Sequence, residues 1–307
     1  MMLQSKVEHT EDLPLVSIVI LNYNKTLLTR ELLISLRRIT YPEVEILLVD
    51  NASNDRTFLQ LKDEFPEINI ICSKENLGYA GGNNLGIREA SGSYILLINN
   101  DTEVARGFLE PMVDIFLSNP RTGMVSPKIV YYKRGEAIQY AGSDGINPWT
   151  GRGTKNGFRE VDLGQYNYVK STSLVHGACL LVSRKLIDEV GMLDESYFIY
   201  YEEHDWAERA KHKGYELYYA GTSKIYHKES MTMVKDSPFH SYYMSRNRLL
   251  FLRRNVPYPA FFTSALIFLL VAVPKKILML CMRANFSSLK AYLRGVLWHI
   301  GIRSATS

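Results

Sequence analysis

Short apolar runs alternate with segments of helical periodicity through the first 130 residues of the chain. The runs lie within LVSIVILNYN, VEILLVDNASND, INIICS and YILLINND, and TGMVSPKIVY predicts a fifth strand. Strands of nearly continuous apolar sequence are typical of a parallel sheet that helices cover on both faces. The alternation therefore predicts an α/β fold with a mainly parallel sheet flanked by helices.

Polar residues follow three of these predicted strands. The clusters are Asn22–Asn24, Asp50–Asn54 and Asn99–Asp101. Ligands of open parallel sheets bind outside the carboxyl ends of the strands, where such clusters meet. We therefore expect a functional site at this edge of the sheet.

Asp101 is the carboxylate of the third cluster, and Asn99 precedes it by two residues. Mg²⁺ and Mn²⁺ prefer oxygen ligands and combine one or two carboxylates with phosphate oxygens. Asp101 and Asn99 are therefore candidate metal ligands, although an Asn-Asp turn explains the same residues. Asp50 also has two interpretations, because it can bond a nucleobase or ribose, or cap the next helix.

The stretch NLGYAGGNNLG, from Asn76 to Gly86, places small residues before a predicted helix. Backbone N–H groups at a helix start favour anions, and glycines allow a ligand to approach closely. A glycine-rich turn without a ligand is the alternative. The sequence has neither GxGxxG here nor GxxxxGK[ST] anywhere, which disfavours a dinucleotide cofactor or a Walker-type ATP site.

Glu202, Glu203 and Asp205 lie together at the start of a predicted helix in YYEEHDWAER. The helix dipole favours acids at this end, which is a purely structural explanation. The functional interpretation is a carboxylate general base, and we expect the three acids to raise one another's pKa towards neutral pH. His176 and His227 are isolated histidines, a type that is more often structural than metal-binding.

The three cysteines, Cys72, Cys179 and Cys281, are scattered along the chain. Their spacing disfavours a disulfide framework or a structural zinc site and suits a reducing compartment. The polar start, MMLQSKVEHTEDLPL, does not have the pattern of a secretory signal peptide. We therefore expect the catalytic part of the chain to be cytoplasmic.

Residues 237–307 differ in charge from the rest of the chain. They contain ten Lys and Arg and no Asp or Glu, whereas the first 236 residues contain 26 basic and 32 acidic residues. An uncharged run extends from Asn255 to Pro274 and is flanked by basic pairs on both sides. It has about the 20 residues that a spanning helix needs, but its three prolines are expected to shorten the helical core.

The basic flanks and the amphipathic stretch SLKAYLRGVLWHIGIR favour a segment that lies on an anionic membrane surface. A spanning helix and a helical hairpin packed on the main domain are the alternatives. The charges flank apolar blocks and do not form an exposed polar patch, so a nucleic-acid partner is disfavoured.

Seven stretches occur in an order that resembles a family 2 glycosyltransferase of the GT-A fold, a Rossmann-like fold. They are VSIVILNYN, VEILLVDNASNDRT, NLGYAGGNNLGI, GSYILLINNDT, HGACLLVSR, FIYYEEHDWAERAKHKGY and IYHKES. The resemblance covers roughly Leu15 to Ser230. It is closest to enzymes that build cell-surface polysaccharides, including rhamnosyl- and galactofuranosyltransferases.

The resemblance implies roles for individual residues. Glu203 stands where relatives carry the general base, and Asp205 and Glu202 are lesser candidates. Asp101, Asn99 and His227 are the implied metal ligands, with Asn99 in place of the first Asp of the DxD motif. The predicted nucleotide-sugar-binding residues are Asn22, Asp50, Asn76, Gly78, Gly81, Gly82, Asn84, Asn99 and Asn100.

The resemblance also divides the chain. Residues 1–14 are an N-terminal extension and residues 15–236 the GT-A domain, with a nucleotide-sugar half at about 15–130 and an acceptor half at about 131–236. Within the acceptor half, residues 131–168 predict a long surface loop or β-ribbon over the site. Residues 237–307 form the basic, apolar helical region that associates with the membrane.

The implied activity is inverting transfer of a sugar from a nucleotide-diphosphate sugar, with dTDP-rhamnose the first candidate. A divalent cation, Mn²⁺ or Mg²⁺, assists, and the acceptor is a glycan or lipid-linked hydroxyl at the inner face of the cell membrane. One alternative is a sugar-phosphate nucleotidyltransferase, although ILNYNKTLLTRE has no glycine-rich signature. The other is a non-catalytic glycan- or membrane-binding module of transferase-like fold.

Overall fold

The computed structural model describes residues 13–133, 136–228 and 236–301. Most of the predicted N-terminal extension and the last two residues of the IYHKES motif lie outside the described residues. The strands are β1 (Val16–Asn22), β2 (Val44–Asp50), β3 (Ile68–Cys72), β4 (Tyr94–Asn99), β5 (Thr102–Val104), β6 (Thr122–Tyr131), β7 (Ile138–Tyr140), β8 (Ile146–Asn147), β9 (Arg152–Gly153), β10 (Val169–Ser171), β11 (Cys179–Ser183) and β12 (Glu216–His227).

The helices follow the strands of the first half and then form a cluster at the C-terminal end. They are α1 (Thr26–Leu36), α2 (Leu61–Glu64), α3 (Gly78–Glu89), α4 (Glu110–Ser118), α5 (Arg184–Val190), α6 (Glu202–His212), α7 (Pro238–Asn255), α8 (Tyr258–Ile267), α9 (Val273–Met282) and α10 (Phe286–Leu297).

The main sheet has the strand order β10-β12-β6-β11-β4-β1-β2-β3. Strands β3, β2, β1 and β4 are parallel to one another, and β6 is parallel to β12. Strand β11 is antiparallel to both β4 and β6, between which it lies. The structure therefore confirms a mainly parallel sheet flanked by helices and adds antiparallel members that the sequence did not specify.

Helices cover both faces of the sheet because its strands are apolar on both sides. Ile18 and Ile20 of β1 pack in one cluster with Leu32 of α1, whereas Val19 packs in a second cluster with Trp206 of α6. Successive residues of a strand point to opposite faces, so these are the two sides of one sheet. Each fully buried aliphatic side chain contributes about 1.5–3 kcal/mol.

Only part of the segment after β6 forms the surface loop or β-ribbon that the sequence predicts. Strand β7 pairs with β6, and all three of its residues are buried. Strands β8 and β9 form a small hairpin farther along, where Trp149 is exposed. The expectation of a surface loop is therefore wrong for Ile138–Tyr140, because this stretch completes the hydrogen bonds along β6.

The C-terminal region contains a continuous helix from Tyr258 to Met282, with a mean hydropathy of 2.2 in its most apolar part. It is long and apolar enough to cross a membrane, and 17% of that part is buried inside the protein. A π-helical turn at Phe268–Ala272 precedes Pro274, which lacks a backbone N–H and would clash with a regular preceding turn. The expectation that prolines shorten this helix is therefore wrong.

Candidate active site

The carboxyl ends of β1, β2 and β4 bring three predicted nucleotide-sugar-binding residues together. Asn22 Nδ2 donates to Asp50 Oδ1 at 2.8 Å, and Asn22 Oδ1 accepts from Thr29 Oγ1 at 2.9 Å. Asn100 Nδ2 in turn donates to Thr29 Oγ1 at 3.0 Å. The register of the parallel strands, with Asn22 opposite Asp50, creates this buried polar network.

Asp50 also holds the turn that follows β2. Its Oδ2 accepts from the Ser53 N–H at 3.0 Å, and its Oδ1 accepts from Ser53 Oγ at 2.5 Å. The side chain is buried, so its carboxylate is engaged by protein groups on both oxygens. This capping of a turn is close to the structural alternative, in which Asp50 caps the next helix. Contact between Asp50 and a nucleobase stays a prediction.

The glycine-rich stretch forms the start of α3. Gly78 has a φ of +71°, and a Cβ on it would lie 2.4 Å from the carbonyl oxygen of Phe198. Asn76 Oδ1 accepts from the Gly78 N–H at 2.9 Å and fixes the turn into the helix. These two residues lie where the chain enters the helix, beside the segment that precedes α6.

Gly81, Gly82 and Asn84 lie within α3 and pack against their surroundings. A Cβ on Gly82 would lie 2.4 Å from Leu21 Cδ1, so this glycine lets the helix approach β1 closely. Asn84 Nδ2 donates to the Leu193 carbonyl at 2.9 Å. Gly81 has Leu77 as its near neighbour. The geometry shows a packing role for these residues, and ligand contacts at them stay predictions.

Asp101 and His227 meet at the tip of β4. Strand β5 turns back directly after Asp101 and pairs antiparallel with the end of β12, with Thr102 opposite His227. The pairing places His227 Nε2 at 3.1 Å from Asp101 Oδ1, and both side chains are buried. Asn99 is the other predicted ligand. Its backbone N–H donates to the Ala178 carbonyl at 2.9 Å.

Gln139 is a site residue that the sequence reasoning missed. Its Oε1 lies 2.7 Å from His227 Nδ1. A glutamine oxygen can only accept, so Nδ1 donates to it, and the other ring nitrogen, Nε2, faces Asp101. In AIQYAG a single glutamine gives no periodic signal, and its role appears only when β7 pairs with β6.

The three acids at the start of α6 have different surroundings. Asp205 is occupied, since it accepts from Arg209 Nε at 2.8 Å and from Tyr197 Oη at 3.1 Å. Glu203 Oε1 lies 3.3 Å from His204 Nδ1. Among the described residues, Oε2 of Glu202 and Oε2 of Glu203 are buried without a hydrogen-bond partner. Glu203 therefore has a carboxylate oxygen that no described protein group satisfies.

The expectation that the acids raise one another's pKa is correct for Glu202 and wrong for Glu203. Burial and the adjacent Glu203 charge raise the pKa of Glu202 well above its ordinary value. Burial would also raise the pKa of Glu203, but the interactions with the adjacent His204 outweigh it and lower this pKa. Glu203 is thus the ionised acid of the pair at neutral pH.

His176 lies between the two groups. Its ring centroid is 6.4 Å from that of His227, and a Cβ on the next residue, Gly177, would lie 3.3 Å from Glu203 Oε1. Its Nδ1 accepts from the Ala178 N–H at 3.1 Å. Burial lowers the pKa of His176 to about 3, so the ring is neutral at physiological pH. The sequence analysis left His176 as structural, and it is the residue that connects the Asp101–His227 pair with the acids.

A cavity of about 910 Å³ adjoins this edge of the sheet. Asn24, Tyr132 and Lys228 contribute to its lining. A second cavity, of about 420 Å³, is lined by Ser91–Tyr94 at the opposite end of β4. Neither cavity is lined by a predicted site residue, so we place the candidate site at the polar strand ends and the Asp101–His227 pair and not at either cavity.

A comparison with known protein families decides the class of this site. The model for glycosyl transferase family 2 matches residues 17–191. The chain belongs to glycosyltransferase family 2. The family match therefore confirms the resemblance drawn from the seven stretches. This family 2 member is a glycosyltransferase, a different class of enzyme from the nucleotidyltransferase named as the alternative.

The family 2 chain is similar to several curated transferases. It is 29% identical over 216 residues to a low-salt glycan biosynthesis hexosyltransferase of Haloferax volcanii, covering 67% of this chain and 66% of that protein. It is 28% identical over 254 residues to a dTDP-rhamnosyl transferase of Shigella flexneri, covering 77% and 79%. It is 25% identical over 269 residues to N-acetylglucosaminyl-diphospho-decaprenol L-rhamnosyltransferase of Mycobacterium tuberculosis, covering 79% and 84%.

Solved structures show the same fold at lower identity. A mannosyltransferase of Pyrobaculum calidifontis in complex with GDP-Man and Mn²⁺ has a TM-score of 0.59 and 17% identity, over 96% of this chain and 89% of that one. GalNAc-T7 with UDP, GalNAc and Mn²⁺ also has a TM-score of 0.59, with 19% identity over 77% and 48%. The family 2 chain thus has the GT-A fold.

Proposed function

We propose that this chain transfers a sugar from a nucleotide-diphosphate sugar to a hydroxyl of a glycan or lipid-linked acceptor, with inversion at the anomeric carbon. The observation that carries the proposal is the placement of Asp101, His227 and Glu203 near His176 and Gly177, at the carboxyl edge of the sheet. Similarity to rhamnosyltransferases supports dTDP-rhamnose as the first donor to test.

The residues present fit a divalent cation. His227 Nε2 and the Asp101 carboxylate face each other across 3.1 Å, and an imidazole nitrogen and a carboxylate are both ligand types of divalent cations. Among the described residues, no group of three or more His, Cys, Asp or Glu surrounds a common point. Two protein ligands leave positions for diphosphate oxygens, and Asn99 is the nearest further candidate in sequence. A bound Mn²⁺ or Mg²⁺ would supply Lewis-acid stabilisation of the diphosphate.

Glu203 is the proposed general base. Its carboxylate is ionised, buried and open at Oε2, and the Gly177 backbone approaches it closely enough that a Cβ there would lie 3.3 Å from Oε1. The carboxylate takes the proton of the acceptor hydroxyl. The oxygen then attacks the anomeric carbon from the face opposite the diphosphate, which inverts the configuration. Asp205 is engaged by Arg209 and Tyr197 and is a weaker candidate for this role.

The remaining predicted contacts belong to the same proposal. The network of Asn22, Asp50 and Asn100 would carry the nucleoside, and the turn at Asn76–Gly78 the diphosphate side of the donor. Their location at the carboxyl edge of the parallel strands supports this assignment.

The same proposal places the enzyme on the inner face of the cell membrane. Tyr258, Phe262 and Leu266 follow one another at four-residue spacing, and their side chains are 79%, 65% and 56% exposed. Residues at this spacing form one helix face, and an exposed apolar face on a helix that also carries the exposed Lys275 suits an anionic lipid surface. A helix that spans the membrane is the alternative.

A donor screen tests the proposal. The full chain is heated with a panel of nucleotide sugars, with and without Mn²⁺, and its melting temperature is recorded. A true donor at one hundred times its Kd stabilises the folded chain by about 2.7 kcal/mol through mass action, which raises the melting temperature. We expect this increase only in the presence of the cation. Transfer to an acceptor is then followed for the donor that protects. If a nucleotide sugar raises the melting temperature but no sugar is transferred to any acceptor, the result favours the non-catalytic module.

A further inference from the structure

The backbone immediately before α6 has an unusual conformation. Phe198, Tyr200 and Tyr201 have φ values of 64°, 71° and 75°. These values lie in the left-handed region, which bulky side chains rarely adopt, so the surrounding structure must hold the segment in place. Tyr201 is the residue from which α6 begins, and Glu202 and Glu203 form its first turn. The direction of Glu203 therefore depends on this segment.

Asn247 of α7 holds the segment through its side-chain amide. The Nδ2 group donates to the carbonyls of Tyr197, Ile199 and Tyr200 at 2.8, 2.7 and 2.8 Å. Asn247 is completely buried, so water does not replace these bonds. The three bonded carbonyls lie within residues 197–200, at or next to the left-handed positions. The bonds therefore fix the path of the chain there.

Arg246 completes the contact from the neighbouring position of α7. Its Nη2 donates to the carbonyls of Ser196 and Tyr197 at 2.6 and 2.8 Å. Its Nε donates to Asn247 Oδ1 at 2.7 Å, which orients the amide so that Nδ2 faces the segment. The two side chains therefore act as one unit on residues 196–200.

The same segment contacts the start of α3. The Phe198 carbonyl accepts from the Ala80 N–H at 3.1 Å and lies against Gly78. Residues 196–201 thus link the stretch proposed to bind the diphosphate with the proposed base. A displacement of the segment changes the position of Glu203 relative to the bound donor.

We infer that Arg246 and Asn247 are positioning residues for Glu203. The inference rests on the proposed function. The hydrogen bonds of the pair to the segment all end on backbone carbonyls, and the effect of the pair on the reaction passes through the left-handed segment into the first turn of α6. It also makes α7 part of the catalytic unit, although α7 lies in the region predicted to serve the membrane.

The test replaces Asn247 by Asp in the full chain. The side chain keeps its shape, but a carboxylate then faces three carbonyl oxygens in place of an amide donor. We expect kcat for transfer to fall about 10²-fold, as a displacement of about 1 Å produces. The Kd for the nucleoside diphosphate with Mn²⁺ is expected to change less than about twofold. Hydrogen exchange of amides 197–204 is expected to become faster.

Arg246→Lys is the milder second variant, because it keeps the charge and loses the planar fork. We expect a fall of about 10-fold in kcat. Arg253→Gln is the matched control, since Arg253 is an exposed basic residue on the same helix, α7. It is expected to leave kcat and the exchange of amides 197–204 unchanged.

The outcomes separate this inference from the proposed function. An Asn247→Asp variant with wild-type kcat overturns the inference, and so does one in which kcat, nucleotide affinity and melting temperature fall together. If the wild-type chain transfers no sugar, the proposed function fails. The exchange measurement then still decides whether Asn247 holds the segment, and unchanged exchange overturns the inference.

Discussion

His227 Nε2 lies 3.1 Å from Asp101 Oδ1, although 126 positions separate the two residues in the chain. The short strand β5 makes this contact possible, because it starts immediately after Asp101 and pairs with the last residues of β12. The tip of the fourth strand and the end of the last strand thereby meet at one point. The proposed cation site consists of this meeting point.

Removing either member of this pair is expected to abolish metal-dependent donor binding. In Asp101→Asn the carboxylate charge is lost, and in His227→Ala the nitrogen ligand is lost. Calorimetric titration of Mn²⁺ into chain plus nucleoside diphosphate measures the effect. His212→Ala, on an exposed part of α6, is the control. Unchanged Mn²⁺ affinity in both site variants would place the cation elsewhere.

Gln139→Leu is expected to weaken Mn²⁺ binding about 10–100-fold. Gln139 orients the His227 ring through Nδ1, and loss of such an outer contact typically has this effect on metal affinity. The same titration detects it, with Gln165→Leu as a control in a solvent-exposed turn. Affinity equal to that of the wild type would show that His227 needs no such partner.

Glu203→Gln is expected to reduce kcat about 10²–10⁴-fold while nucleotide binding stays intact. The amide keeps the shape of the side chain but cannot take the acceptor proton. The measurement is release of nucleoside diphosphate at saturating donor and acceptor. Glu208→Gln changes a partner of Lys211 on the same helix and serves as the control. If the Glu203→Gln enzyme keeps full activity, the general base is a different acid.

Glu202→Gln is expected to stabilise the protein increasingly as pH rises. Burial and the Glu203 charge raise the pKa of Glu202 in the folded state, so the folded chain binds this proton more tightly than the unfolded chain. The stability contributed by the protonated form is therefore complete below the unfolded pKa, about 4.3, and is lost progressively as the pH rises from there through the raised folded pKa. Urea unfolding between pH 4 and 8 measures the difference. A difference between variant and wild type that does not grow with pH contradicts the assignment.

Membrane binding is expected to depend on the exposed face of the Tyr258–Met282 helix. Replacing Tyr258, Phe262 and Leu266 by Ser removes three apolar side chains and should lower partition into anionic vesicles more than tenfold. Vesicle flotation measures it, and Leu117→Ser, an exposed residue of α4, is the control. Flotation equal to that of the wild type would remove this face from the interface. Point variants are preferable to truncation after Ser237, which would also delete Asn247.

Much of the fold was predictable because it depends on local pattern. Continuous apolar runs with polar ends correctly predicted β1, β2, β3, β4 and β6, since burial on both faces leaves a signature in each strand separately. The direction of β11 was not predictable. A strand of the same composition pairs equally well in either direction, and only the path of the chain after residue 131 decides it.

The continuous helix through Pro274 shows a second kind of limit. Proline normally ends a helix at or before the preceding residue. Here a π-helical turn accommodates the missing N–H, and that adjustment depends on how α8 and α9 pack with α7 and α10. Sequence alone indicated an apolar segment of spanning length and misjudged its continuity.

The sequence by itself determined the sheet, its polar carboxyl edge, and the residue types available there: Asp101, His227 and the acids of α6. Each of these follows from composition and spacing within a short stretch. The tertiary structure alone decided that Gln139 orients His227, that Asp205 is occupied while Glu203 is open, and that Asn247 holds the segment before Glu203. These relations join residues distant in the chain, and a hydrogen bond between them requires a distance and an angle that only the folded backbone specifies.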